Sequence, residues 1–184
     1  MNMFNIPNLL SISRILSVPI FIVLLLNPDI VRVLTAVGIF FLASATDWLD
    51  GYLARKWGQV TKIGKLLDPI ADKILIMSAL VILVGMRSDV VLVPAWMAIV
   101  IIGREFAVTG LRSIASSEGI VIAAETWGKG KVVAQVTAVI ALLLFSCLHD
   151  AWLLIVGTAA LWIALILSLY SAALYFKTYW NKVN

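Results

Sequence analysis

Six long apolar segments, separated by short polar breaks, run through almost the whole chain. They lie at about 7–26, 33–54, 66–86, 91–112, 129–148 and 151–176. A helix needs roughly 20 apolar residues to cross a bilayer core about 30 Å thick, and each segment is near that length. Only helices and closed barrels satisfy their backbone polar groups inside a membrane. We therefore expect an all-α integral membrane protein: a six-transmembrane-helix bundle with one domain over residues 1–184.

The composition excludes an ordinary soluble domain. Hydrophobic residues make up 62% of the chain and charged residues only 13%, whereas soluble domains are about 45–50% apolar and about 25% charged. The first apolar segment is not typical of a cleaved signal peptide, because no Lys or Arg precedes it and no small-residue cleavage site follows it. We expect it to be a retained first helix.

The basic residues are divided unevenly between the two ends of the segments. Only Arg32 and Arg87 lie in the breaks expected on the outer side, and all other lysines and arginines lie toward the opposite ends. The positive-inside rule then places both termini, and the two longer loops at about 55–65 and 113–128, on the cytoplasmic side of the cell (inner) membrane. The net charge of +4 is thus a topology signal. It does not indicate nucleic-acid binding, since the basic residues form no stripe on a soluble face.

Four aspartates interrupt the apolar pattern at the cytoplasmic ends of the second and third segments. Asp47 and Asp50 are three residues apart, and Asp68 and Asp72 are four apart, so each pair shares one face of a helix. The two segments run in opposite directions and bring all four carboxylates to one depth, where they repel unless a cation compensates them. Oxygen ligands with no nearby His or Cys favour Mg²⁺, Mn²⁺ or Ca²⁺. These four residues are the predicted metal site.

Two other interpretations of the aspartates stay open at this point. They could be ordinary interfacial residues, with Asp68 capping a helix whose first residue is Pro69. A divalent-cation transporter would also place carboxylates in a membrane, but a transport pathway needs polar groups across the bilayer. The outer halves of the segments are nearly free of ionisable residues, so we expect a polar cavity that opens only toward the cytoplasm.

The residues between the two aspartate pairs extend the pattern. Gly51 and Gly64 allow a ligand to approach the backbone closely. Ala54 leaves a helix face uncrowded, and Arg55 offers a planar fork for phosphate. From Asp47 onward the stretch reads D-x2-D-G-x2-A-R-x8-G-x3-D-x3-D. In its six-segment membrane context, this stretch resembles the signature of the CDP-alcohol phosphotransferase family at every fixed position and every gap.

The resemblance implies an enzyme in which the hydroxyl group of an acceptor alcohol displaces CMP from a CDP-linked donor, with a divalent metal such as Mg²⁺ or Mn²⁺. It implies that Asp47, Asp50 and Asp68 are metal ligands. Asp72 would be both a ligand and the general base. It also suggests a homodimer. The residues that would contact the CDP donor are Asp50, Gly51, Ala54, Arg55, Gly64 and Asp68.

A second group of charged residues lies on the fourth and fifth segments. Arg104 and Arg112 are eight residues apart, which is about 80° around a helix. Lys129 and Lys131 open the fifth segment at the same cytoplasmic depth. Together these four residues predict a pocket for an anionic acceptor. Alternatively, Arg104 pairs with neighbouring Glu105 or with another carboxylate, and the lysines only follow the positive-inside bias.

Three stretches also resemble the bacterial members of this family that use glycerol 3-phosphate as acceptor. They are "NIPNLLSISRI", "REFAVTGLR" and the Gly-Lys-Gly-Lys sequence that includes Lys129 and Lys131. This resemblance implies CDP-diacylglycerol as donor, and phosphatidylglycerophosphate and CMP as products. Relatives that use inositol phosphate share the reaction and the need to bind a phosphate, so inositol phosphate is the alternative acceptor.

Overall fold

Six helices form the described part of the protein, whose structure is a computed structural model. The backbone is described for residues 6–57, 62–118 and 127–183, and the side chains for 9–46, 70–71, 73–118 and 130–182. The helices are α1 (Ile6–Leu26), α2 (Ile30–Trp57), α3 (Lys62–Gly85), α4 (Ala95–Ser117), α5 (Trp127–Leu148) and α6 (Ala151–Val183). No strand occurs within those backbone ranges. The predicted all-α class is therefore confirmed.

Each predicted segment corresponds to one helix, but several helices are longer than the apolar runs. The expected loop at about 55–65 is wrong at both of its ends, because α2 continues to Trp57 and α3 begins at Lys62. Lysine and arginine have helix propensities close to that of leucine, so a helix does not stop where its apolar residues stop. For the same reason α6 continues to Val183, beyond its expected end near 176.

A short connection places α5 and α6 side by side. α5 and α6 are joined only by His149 and Asp150, a length typical of antiparallel neighbours. Among the described helices, the contact between these two is the most extensive. α1 packs against α2 and α3, α2 also meets α5, and α4 packs against α3 and α6. α3 also contacts α5, so α3 lies next to both α4 and α5, the helices that carry the predicted acceptor-binding residues.

The interior of the bundle is an apolar core to which most helices contribute. Phe21 of α1 and Phe40 of α2 are fully buried, and their ring centroids are 5.7 Å apart. Leu80, Leu142 and Leu161 bring α3, α5 and α6 into the same cluster. In water, burial of such apolar side chains is the main favourable contribution to packing. Inside a membrane, van der Waals contact between closely fitting helices takes that role.

The outer surface is also strongly apolar. Leu16 and Val23 on α1, and Trp152 and Ile166 on α6, are each more than half exposed, which is unusual for a soluble protein. Three helical stretches in the described chain are long and apolar enough to cross a membrane. They are Leu9–Leu26, Gly130–Leu148 and Ala151–Lys182. Shorter apolar stretches occupy Ile30–Thr46 and Lys73–Gly85.

Candidate active site

The four aspartates predicted to bind metal lie on two consecutive helices that contact each other. Asp47 and Asp50 are on α2, and Asp68 and Asp72 are on α3. Their side chains lie outside the described residues, so the predicted metal site stays a prediction. Among the side chains that are described, no group of three or more His, Cys, Asp or Glu could hold a metal ion. Four further residues are predicted to contact the CDP donor, and their side chains also lie outside the described residues: Gly51, Ala54, Arg55 and Gly64.

The residue at which α3 begins shows whether Asp68 caps this helix. An N-cap residue immediately precedes the first helical residue, but α3 begins at Lys62, well before Asp68. The interpretation in which Asp68 only caps this helix is therefore wrong. Residues 62–67 include Lys and Leu, which favour helix, and they extend α3 past the point where Pro69 suggested a beginning.

Arg104 is buried and is held by groups on two helices. Its Nε donates a 2.8 Å hydrogen bond to the main-chain carbonyl of Ser168 on α6, and its Nη2 donates to Oγ of Ser171. Its Nη1 donates to Oε1 of Glu105 at 2.9 Å. The expected alternative, an ion pair between Arg104 and Glu105, is thus confirmed. A guanidinium carries five N–H donors, and these contacts use three, so the pairing does not by itself exclude a ligand.

Glu105 also binds a second cation. Nζ of Lys131, on α5, donates to the same Oε1 atom that accepts the bond from Arg104. The side chains of Lys131 and Glu105 are only 10% and 12% exposed. Buried charges need such partners because removal from water is costly. The structure therefore brings together two of the four predicted acceptor-binding residues around a shared carboxylate.

The other two predicted acceptor-binding residues are placed differently. The buried stripe of α4 includes Arg104, Val108 and Leu111, whereas Arg112 lies beside that stripe on the exposed side. Lys129 is on the first turn of α5, and its side chain lies outside the described residues. A role for Arg112 and Lys129 in acceptor binding stays a prediction.

A cavity of about 20 Å³ lies next to the ion cluster, between α3, α4 and α5. Its polar lining consists of Lys73, Glu105, Lys131 and Gln135. Nζ of Lys73 donates to Oγ1 of Thr109, which in turn donates to the main-chain oxygen of Glu105 at 2.6 Å. Gln135 is not among the site residues predicted from the sequence. The sequence feature that could have indicated it is its spacing of four residues from Lys131, since residues four apart share one helix face.

Comparison with known proteins identifies the family. A model of the CDP-alcohol phosphatidyltransferase family matches residues 4–170. A protein from Bacillus subtilis (strain 168) is 44% identical, over 99% of this chain and 98% of its own length. Similar proteins from Pseudomonas fluorescens and Haemophilus influenzae are 41% and 38% identical, over 98% and 95% of this chain and 92% of each relative. All three are named CDP-diacylglycerol–glycerol-3-phosphate 3-phosphatidyltransferase.

The family match extends well beyond the aspartate signature. It covers α2 and α3, which carry the four aspartates, and also the helices that carry Arg104, Glu105 and Lys131. The resemblance predicted from the sequence between Asp47 and Asp72 is thus confirmed by a comparison that uses most of the chain. This protein belongs to the CDP-alcohol phosphatidyltransferase family, and its apolar helices are those of a membrane protein.

Proposed function

We propose that this protein transfers the phosphatidyl group of CDP-diacylglycerol to glycerol 3-phosphate, giving phosphatidylglycerophosphate and CMP. The observation that carries the proposal is the similarity to relatives named for this reaction, which at 44% identity covers 99% of the chain. The buried pair of cations, Arg104 and Lys131, supports an acceptor that is itself an anion.

Asp72 is the proposed general base. It would accept the proton of the acceptor hydroxyl as the hydroxyl oxygen bonds to the phosphatidyl phosphorus and the bond from that phosphorus to CMP breaks. In phosphoryl transfer the protein mainly positions the reactants and stabilises charge, so a well-placed base and a well-held acceptor are what this chain has to supply.

The donor and metal site is proposed on α2 and α3. The chemistry of the donor set fits Mg²⁺ or Mn²⁺, because Asp47, Asp50, Asp68 and Asp72 all offer carboxylate oxygens. A divalent cation, when bound, would neutralise negative charge on the diphosphate. The CDP moiety would lie against Asp50 and Asp68 together with Gly51, Ala54, Arg55 and Gly64.

The acceptor site is proposed on α4 and α5. Arg104 and Lys131 already lie around one carboxylate. Arg112 lies about two turns further along α4, and Lys129 is two residues before Lys131 on α5. An arginine guanidinium and lysine ammonium groups suit the phosphate of glycerol 3-phosphate. The ion pair with Glu105 keeps Arg104 and Lys131 in place in the absence of a ligand.

All six helices are proposed to span an inner membrane, with both termini and the opening of the polar cavity on the cytoplasmic side. The distribution of lysine and arginine supports this orientation. α2 has 28 residues, and a helix of that length is about 42 Å long, longer than a bilayer core of about 30 Å. Its last turns, which carry Asp50 and Arg55, can therefore reach the interface. We also propose a homodimer, on the family resemblance.

The acceptor can be tested directly by CMP release. Purified protein in detergent micelles with CDP-diacylglycerol and Mg²⁺ should release CMP with glycerol 3-phosphate, and little or none with inositol phosphate or free glycerol. Release with inositol phosphate alone would keep the reaction class and reject the acceptor. Release with none of the acceptors would reject the proposed reaction.

A further inference from the structure

Gln135 on α5 lines the cavity beside the ion cluster and carries a buried hydrogen-bond donor. The residue is only 3% exposed. Its Nε2 atom has no hydrogen-bond partner within the part of the chain that the structure describes. Buried side-chain amides are nearly always satisfied in folded proteins, and an unsatisfied one destabilises the fold. A donor left in this state at a cavity wall indicates a ligand that satisfies it.

The other groups around the cavity show what kind of ligand fits. Lys131 lies one turn before Gln135 on α5, and Lys73, directly after Asp72 in the sequence, lines the same cavity from α3. The negative charge of Glu105 is already shared between Arg104 and Lys131. An oxygen atom that carries negative charge is therefore the expected occupant.

The size of the cavity limits how much of a ligand enters. A volume of about 20 Å³ holds one water-sized group, since a single water needs roughly 10–15 Å³. A whole glycerol 3-phosphate molecule does not fit, but one of its phosphate oxygens does. Ile76, Leu80 and Ile101 also line the cavity, and apolar surroundings of this kind strengthen a hydrogen bond made among them.

We propose that Gln135 is a specificity-determining residue for the acceptor: its Nε2 donates a hydrogen bond to one phosphate oxygen that is seated between Lys73 and Lys131. This inference rests on the proposed function and adds to it a residue on the inner wall of the acceptor site. A site built to hydrogen-bond a substrate group discriminates strongly against substrates that lack the group. Gln135 thus contributes to the choice of a phosphorylated acceptor.

The test is a substitution that removes the donor and keeps the volume. For Gln135→Leu, the KM for glycerol 3-phosphate in the CMP-release assay should rise roughly 10-fold to 100-fold, as expected for one lost hydrogen bond to a charged group. The KM for CDP-diacylglycerol should not change. The thermal unfolding temperature without acceptor should be unchanged or higher, because the variant has no unsatisfied amide. A purely structural glutamine predicts the reverse, lower stability with an unchanged KM.

Two further variants support the interpretation of that result. Gln135→Met removes the donor and substitutes a flexible side chain of similar length. The same rise in the KM for glycerol 3-phosphate is expected, so this variant serves as the test if Gln135→Leu does not fold. Ser146→Ala is the control on the same helix, since within the described residues the Ser146 hydroxyl bonds only locally, to the carbonyl of Leu143 at 2.7 Å. It should leave both KM values unchanged.

Two outcomes overturn the inference in distinguishable ways. If wild-type protein is active with glycerol 3-phosphate and both donor-free variants keep its KM, Gln135 does not bind the acceptor and the proposed function stands. If wild-type protein releases no CMP with glycerol 3-phosphate, the proposed function fails and the inference fails with it.

Discussion

Nε of Arg104 on α4 donates a 2.8 Å hydrogen bond to the main-chain carbonyl of Ser168 on α6. A carbonyl oxygen has two lone pairs, so Ser168 can accept this bond in addition to the one within its own helix. The contact ties α4 to α6 and fixes the plane of the guanidinium before any ligand binds. Such pre-organisation reduces the entropy lost on binding.

The first prediction concerns this guanidinium. Arg104→Lys keeps the charge but loses the fork that reaches Ser168, Ser171 and Glu105 at once. We expect a lower thermal unfolding temperature and a loss of at least about tenfold in kcat/KM for glycerol 3-phosphate. Arg32→Lys is the matched control, because the exposed Arg32 also donates to a main-chain carbonyl, that of Asn27 at 3.0 Å. Equal behaviour of the two variants would show that the contacts of Arg104 are not needed.

The second prediction concerns the shared carboxylate. Glu105→Gln keeps the shape of the side chain but leaves Arg104 and Lys131 without their common negative charge. Breaking a buried ion pair on one side costs about 3–5 kcal/mol, so the unfolding temperature in detergent should fall clearly. Asp29→Asn removes an exposed partner of Arg32 and should change stability little. A Glu105→Gln variant as stable as Asp29→Asn would contradict the buried cluster.

The third prediction concerns the packing of α5 on α6. A Cβ atom at Gly157 would lie 2.7 Å from side-chain atoms of Leu142 and 3.2 Å from its backbone nitrogen, whereas one at Gly38 would meet nothing within 4 Å. Overpacking of this kind costs about 1–3 kcal/mol, so Gly157→Ala should lower the unfolding temperature. Gly38→Ala should raise it slightly, because alanine in a helix is favoured by about 0.5–1 kcal/mol. Similar shifts in both variants would contradict the close approach.

The extent of each helix shows what the sequence does and does not determine. The apolar runs predict six helices and their order, because burial and membrane insertion follow hydropathy. They do not predict the true ends of α2, α3 and α6, where polar residues with good helix propensity continue the helix. For the same reason, the sequence suggested that a helix begins at Pro69, whereas α3 begins at Lys62.

The site was predictable where residues are close in sequence. The pairing of Arg104 with Glu105 joins neighbours in the sequence, whereas the aspartate site stays a prediction because its side chains lie outside the described residues. The bonds from Arg104 to Ser168 and Ser171 join positions more than 60 residues apart, and no local pattern specifies which serines α6 turns toward α4. Burial of Gln135 depends in the same way on how three helices meet.

The fourth prediction concerns Arg112, which is exposed beside the buried stripe of α4. Because the side chain is exposed, Arg112→Ala should leave the unfolding temperature nearly unchanged. The KM for glycerol 3-phosphate should rise several-fold with little change in kcat, since a contact made equally in the ground and transition states affects mainly KM. Arg87→Ala, in the connection between α3 and α4, is the exposed control. An effect only on the KM for CDP-diacylglycerol would assign Arg112 to the donor site.

The most direct test of the account is the transfer of radiolabelled glycerol 3-phosphate into lipid by wild-type protein and by Asp72→Asn. With CDP-diacylglycerol and Mg²⁺, wild-type protein should move label into the lipid phase and release one CMP for each label transferred. Asp72→Asn should lose activity by roughly 100-fold or more, the contribution of a general base, while its unfolding temperature stays near that of the wild type. Label that stays in the aqueous phase with wild-type protein, or an Asp72→Asn variant with wild-type activity, would contradict the account.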